Sequence, residues 1–283
     1  MAGKAVAKKA NTDVAITHDY GEMSHAGLDD MTINDLSIPF INIMQTNSPE
    51  VEDELIPGVK PGDLVNSVTK EILTMPVVLI PVFKEAAVVE WVPRLKGGGI
   101  VDRHELDSEV FTSQVAANGG SRIPPKGADG KRISFKSPAG NDLVETYYVY
   151  CLLMDPTCTE PEGYVVLSFS STKIKIHKDW MTSMYTQKGR PPIFANRCHL
   201  STQRQKNEAG TFYNYKIAPM EDTWRASLID PSTDEGQALL KEAQEFAKMI
   251  DDGLARPDLD SLGGTVEATG GPTSDSIDED APF

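Results

Sequence analysis

Nine cationic side chains and eight aromatic rings are interleaved within residues 164–218. The cations are Lys173, Lys175, Lys178, Lys188, Arg190, Arg197, Arg204, Lys206 and Lys216; the rings are Tyr164, Phe169, Trp180, Tyr185, Phe194, Phe212, Tyr213 and Tyr215. A single-stranded nucleic acid is bound by both kinds of group, cations that track its phosphates and flat rings on which its unpaired bases stack. In the segment Phe212-Tyr213-Asn214-Tyr215-Lys216, strand alternation places Tyr213 and Tyr215 on one face and Phe212 and Asn214 on the other. If one face fills a core, the other presents two rings beside Lys216. The same tyrosines would also serve to brace a barrel surface. Trp91 lies close to Arg94 and Lys96 and joins the set, whereas Trp180 falls at apolar helical spacing and reads as core. The candidate strand-contacting residues are thus Trp91, Lys173, Lys175, Lys178, Tyr185, Arg190, Arg197, Arg204, Lys206, Tyr213, Tyr215 and Lys216.

Other chemistries have weaker signatures. Cys151, Cys158, Cys198 and His199 offer thiols and an imidazole, but the close Cys-x-x-Cys spacing of a zinc site is missing, and cysteines in strands are commonly core. No metal and no cofactor is expected. The five histidines, His18, His25, His104, His177 and His199, fall in no nucleophile elbow, metalloprotease helix or kinase loop. Gly97-Gly98-Gly99 lacks the Lys-Ser/Thr of a phosphate loop and reads as a turn; Asp102-Arg103-His104-Glu105 after it has no paired nucleophile. Catalysis is not expected.

The net charge of −15 argues against a polyanionic partner, but its distribution reverses that reading. Residues 164–218 carry nine bases against Asp179 and Glu208, net +7, while residues 250–283 carry nine acids against Arg256, net −8. The acidic end finishes on Asp275-Ser276-Ile277-Asp278-Glu279-Asp280-Ala281-Pro282-Phe283, beyond a Gly- and Thr-rich stretch too poor in large apolar residues to fold alone. This tip resembles the C-terminal tip of the single-stranded DNA-binding proteins of bacteria and their phages, which end in a run of acids followed by Pro-Phe or Phe. The resemblance spans nine residues and implies a protein that coats exposed strands in replication and recombination. It also implies that Asp278, Glu279, Asp280, Pro282 and Phe283 recruit replication and recombination proteins. A tethered acidic tip would further compete with DNA for the basic groove. Two other functions fit an acidic tail: a phage virion or assembly protein, and an acidic mimic of DNA without strand affinity.

Those residues must be positioned by β-structure. Residues 63–68 and 71–73 read as a tight hairpin, 77–83 and 85–92 as two β-rich strands, and 144–153 as the strongest strand, with 163–169 as its hairpin partner. Residues 113–142, with Arg122, Lys126, Lys131, Arg132 and Lys136, read as a long basic loop, either one that wraps a polyanion or one that is simply solvated. Ser170-Ser171 would cap a helix running to about 187, with Ile174, Trp180, Met181 and Met184 buried. Strands over 193–201 and 211–217 follow, joined by Asn207-Glu208-Ala209-Gly210. Ser232 and Glu235 form a capping box for a last helix with Leu239, Leu240, Ala243, Phe246, Ala247 and Ile250 on one face.

The expected fold is mainly β (α+β): an elaborated antiparallel barrel of the oligonucleotide-binding (OB) type with an internal helix and a C-terminal helix, a β-sandwich being the alternative. Residues 1–30 read as a disordered arm, 31–252 as one β-rich domain whose last helix spans about 233–252, and 253–283 as a disordered acidic tail. No apolar run reaches the ~20 residues of a membrane span, the N-terminus lacks a signal-peptide core, and three sparse cysteines suit a reducing cytoplasm, that of the host if the protein is viral. Single-stranded DNA and replication proteins are the expected partners, with no membrane; a homo-oligomer is left open.

Overall fold

The computed structural model describes residues 37–258, apart from 94–95, 129, 131 and 208–209. The chain is mainly β, built of antiparallel sheets with several helices, as the strand-rich sequence leads one to expect. The expected arm over 1–30 and the Pro-Phe tip lie outside the described residues. The packed chain continues past the expected helix end at 252. Strand β12 (Arg256–Pro257) runs parallel to β1 (Ser37–Ile38), and Ala255 is buried against the core.

The centre is β5 (Val77–Trp91), where two strands were expected. Nothing between them breaks the chain. Pro81 has no N–H to give the ladder, and a register shift between Pro81 and Phe83 absorbs it as a bulge while the strand runs on. Along its whole length β5 pairs with β8 (Asp142–Met154), and β8 pairs with β9 (Pro161–Ser170). On its other edge β5 meets β10 (Cys198–Asn207) at one end and β6 (Ile100–His104) at the other. A hairpin joins β10 to β11 (Gly210–Pro219), and β7 (Phe135–Lys136) extends β8. A small sheet of β2 (Ile41–Ile43), β3 (Leu64–Asn66) and β4 (Ile72–Leu73) contains the expected early hairpin. A short helix, α1 (Pro49–Glu52), lies between β2 and β3.

The unbroken apolar run Val77-Val78-Leu79-Ile80 is explained by burial on both faces of the sheet. One face packs Val78, Ile80, Tyr148 and Val166 under Leu239, Ala243, Phe246 and Ile250 of α4 (Asp234–Asp251). The other packs Val77, Leu79, Val149, Cys151 and Leu167 with Ile41, Leu64 and Trp180, the last from α3 (Lys173–Tyr185). A third cluster, Val88, Phe111, Phe135 and Leu143, seats α2 (Glu109–Ala117).

The ends of several elements differ from expectation for local reasons. The cap of α4 is Thr233, whose hydroxyl accepts from the Gly236 N–H at 3.0 Å, while Ser232 donates to Asp230. Gly236 sets this frame, because a Cβ there would lie 1.9 Å from the Asp230 carbonyl oxygen. Residues 193–195 form a 3-10 turn rather than a strand start, held by the Asn196 amide on the carbonyls of Pro192 and Ile193. The β8–β9 hairpin is closed by Asp155, whose carboxylate accepts from the N–H groups of Thr157, Thr159 and Glu160; those bonds hold it well below the usual carboxylate range.

Candidate nucleic-acid interface

The basic, aromatic segment is carried by α3, by the turn after it and by the β10–β11 hairpin. Helix α3 packs on β8, β9 and β11, so its lysines and the hairpin's cations sit on neighbouring elements. The hairpin pairs with β5 only through Cys198, His199 and Leu200; residues 201–207 and their β11 partners project beyond the central strand as a two-stranded arm. Cross-strand register puts Arg204 opposite Tyr213, and Thr202 opposite Tyr215, on the face continuous with the interior. Arg204 and Lys206 are exposed there. Lys216 is exposed too, but opposite Ser201 on the reverse face, so it does not flank the two tyrosine rings.

The rings correct the expectation most sharply. Tyr215 is 1% exposed and donates its hydroxyl to the Ile41 carbonyl at 2.6 Å, so no base can reach its face. Tyr213 is half-buried, and a Cβ on Gly62 would lie 2.7 Å from its ring. Its backbone N–H and C=O are both bound by the Gln45 side chain, at 2.9 Å each. Both tyrosines therefore brace the N-terminal segment against β11, with the reach of a phenol used for a distant carbonyl rather than for solvent. Trp91 lies on the α4 side of the sheet, half-buried, with its indole N–H enclosed. Arg197 is spent on structure: its guanidinium donates to the carbonyls of Ser227 at 3.1 Å and Leu228 at 3.5 Å.

Other candidates stay on the surface. Lys175 and Lys178 are exposed on α3, and Tyr185 at its end is 69% exposed with the Arg190 guanidinium 5.4 Å from its ring centroid. Lys173 is half-buried, its ammonium 5.0 Å over the Tyr215 ring, and burial lowers its pKa to about 8.

Among its described residues the 113–142 segment is not a free basic loop. Helix α2 takes its start, and Phe111 meets Phe135 edge-on at 5.7 Å. Arg122 engages Glu145, Arg132 donates to the Pro124 carbonyl at 2.9 Å, and Lys136 pairs with Asp142 at 2.5 Å. Arg122, Arg132 and Lys136 are thus each committed to a partner within the chain.

Sequence reasoning passed over His177, which is buried and stacked on Tyr147 with centroids 4.4 Å apart. A signal existed: His177 stands four residues after Lys173 and three before Trp180, on the buried stripe. It also passed over Lys84, the single cation inside the β5 run. Most of the Asp102–Glu105 cluster lies in strand β6. There Arg103 pairs with Glu85 at 2.5 Å, and the buried Glu90 accepts from Ser137 at 2.6 Å and Asn141 at 2.7 Å while meeting His104 at 2.9 Å. Ser137 donates to Glu90 and not to the imidazole, so the group is a tie between segments and not an activated nucleophile.

Cys151, Cys158 and Cys198 are buried free thiols, and burial raises all three, Cys158 to about 11. Among the described residues no three metal-ligating side chains gather, and no helix is long and apolar enough to cross a membrane. Comparison with curated proteins and with solved structures returns no match for this chain. A family model derived from phage proteins matches residues 7–256, nearly the whole folded chain, and on that match the chain belongs to the Pam3 phage gp34-like protein family.

Proposed function

We propose that this phage-family protein binds single-stranded DNA through the α3 surface and the projecting β10–β11 arm, and that it acts in phage replication or recombination. The observation carrying this reading is the arm itself: a hairpin extending past the sheet with Arg204 and Lys206 exposed beside α3, whose Lys175 and Lys178 are also exposed. Strand order supports it. Five principal strands, β5, β8, β9, β10 and β11, are arranged with β5 between β8 and β10, β9 beyond β8 and β11 beyond β10. The helix α3 falls between the third and fourth of them, as in a five-stranded OB barrel, a fold that takes oligonucleotides on its second and third strands and on the loop joining its last two. The gap between β9 and β11 is filled by the N-terminal segment, through the Phe40–Val166 bridge on one side and Gln45 on the other. On this reading the barrel is partly open and braced by Tyr213 and Tyr215.

The test is a polarisation titration of labelled oligo-dT with the full chain. Binding is expected to weaken steeply with salt, and Arg204→Glu with Lys206→Glu should lower affinity on the order of tenfold at moderate salt. No binding by the unaltered chain at low salt overturns the reading.

The acidic tip enters as a tethered competitor for the same cations and as the docking element for replication proteins. Removing residues 275–283 is expected to tighten oligo-dT binding at low salt and to have little effect at high salt, where charges are screened. Equal affinity at low salt with and without the tip removes the competitor role.

A further inference from the structure

We propose that Lys84 of β5 and Lys178 of α3, set beside the His177–Tyr147 stack, form a seat for one or two phosphodiester groups of the bound strand. The proposal rests on the single-stranded DNA reading and deepens it by naming where the strand leaves the hairpin arm and crosses the sheet.

Geometry brings these groups together from three elements, β5, β8 and α3. Ala86 of β5 stands directly opposite Tyr147 of β8, and Lys84 lies two residues before it on the same side of the strand. Ala86 has no bulk, so Lys84 and Tyr147 are separated by a low floor. From the other side, α3 lays the His177 ring nearly flat on Tyr147, 20° from parallel, with Phe169 at 5.4 Å. Lys178 directly follows His177.

Two observations point to an anionic ligand. First, the positive charges of Lys84 and Lys178 reach His177: burial first, then these two cations, press its pKa down to about 4, so the ring is neutral at pH 7. Among the described residues, no carboxylate pairs with Lys84 or Lys178. Glu145, the acid beside Tyr147, is engaged by that phenol and by Arg122. Lys84 and Lys178 thus bear on one imidazole without a paired counter-charge, an arrangement that an entering anion would relieve. Second, His177 is 4% exposed and both its ring nitrogens lack a hydrogen-bond partner. A buried donor without a partner costs about 1–3 kcal/mol, a cost that an incoming phosphate oxygen would relieve.

The chemistry selects a phosphodiester over a base edge. Lysines are point charges without the planar fork that reads base edges, and the aromatic part of the site is already stacked on itself. The seat would add affinity without sequence preference.

The experiment uses the full chain and labelled oligo-dT, comparing the unaltered protein with a Lys84→Ala/Lys178→Ala variant; both side chains are exposed, so the fold is retained. The slope of log affinity against log salt is expected to become shallower by about 1 to 1.5, the loss of two single-strand phosphate contacts. Lys241→Ala, on exposed α4, is the control and should leave the slope unchanged. The His177 ring resonances should move when oligo-dT is added to the unaltered chain. Unaltered binding with identical slopes in the double variant overturns the seat and leaves the DNA reading standing, as does a His177 signal that stays still under saturating oligo-dT. Failure of the unaltered chain to bind at all overturns both, and is read in the first titration before any variant is made.

Discussion

Phe246→Ala is expected to lower the unfolding free energy by about 3–5 kcal/mol. Phe246 is fully buried, and its ring lies 4.3 Å from that of Tyr164 on β9. Its neighbours on the helix face, Ala243 and Ile250, are buried with it against the sheet. Removing the ring therefore loses both its transfer from water and its packing contacts, and a cavity remains between helix and sheet. Domains are stable by only about 5–15 kcal/mol, so a change of this size would be plain in urea unfolding. Helix α4 covers the face of the sheet opposite α3, so on the proposed reading oligo-dT affinity measured well below the melting temperature should be kept. A loss under about 1 kcal/mol would mean that α4 is a loosely docked appendage and not the lid of the core.

The contrast between α4 and α2 shows what the sequence could reveal. Leu239, Ala243, Phe246 and Ile250 recur at helical spacing, and all four are buried; only the cap was misplaced, because Gly236 leaves room for one frame. In α2, Phe111 alone is buried, so there was no stripe to read, and the Gly-, Ser- and Pro-rich residues after it suggested loop. The β8–β9 pair was legible from its two β-rich runs at hairpin spacing. The fusion of two expected strands into β5 was not, because Pro81 signals a break unless a bulge takes it up.

The site was legible in kind but not in orientation. Alternation correctly put Tyr213 and Tyr215 on one face. Which face is interior depends on Ile41, 174 residues away from Tyr215 in the chain, whose carbonyl takes the phenol. Arg197 and Arg122 likewise counted as free charge in the sequence, and each is committed to a distant partner, Ser227 and Glu145. Composition reports charge; only packing reports whether that charge is already paired. What survives on the surface, Lys175, Lys178, Tyr185, Arg190, Arg204, Lys206 and Lys216, is the part that no internal partner consumes.

Glu90→Ala is expected to cost about 3 kcal/mol and to remove part of the chain's sensitivity to acid. Glu90 is buried near the end of β5, and its donors come from separate places: His104 on β6, Ser137 after β7 and Asn141 before β8. One carboxylate thus ties three segments around the end of the central strand. Alanine leaves Ser137 buried and Asn141 half-buried without their acceptor, each at about 1–3 kcal/mol, although relaxation towards water will recover part. The pH dependence follows from the same bonds. Burial pushes the Glu90 carboxyl up, but the hydrogen bonds from Ser137, Asn141 and His104, together with the charge on His104, outweigh it and leave the pKa below its ordinary 4.5. A depressed folded-state value means that the charged form is the stabilising one. Its contribution is fully present above pH 4.5 and is lost as pH falls through the lower, folded value. Between pH 5 and 3, roughly the window in which unfolded carboxylates titrate, the unaltered chain should lose stability more steeply than Glu90→Gln, which keeps the size of the side chain but cannot ionise. Parallel stability curves for the two proteins would show that Ser137 and Asn141 are held by other contacts and that the tie is dispensable.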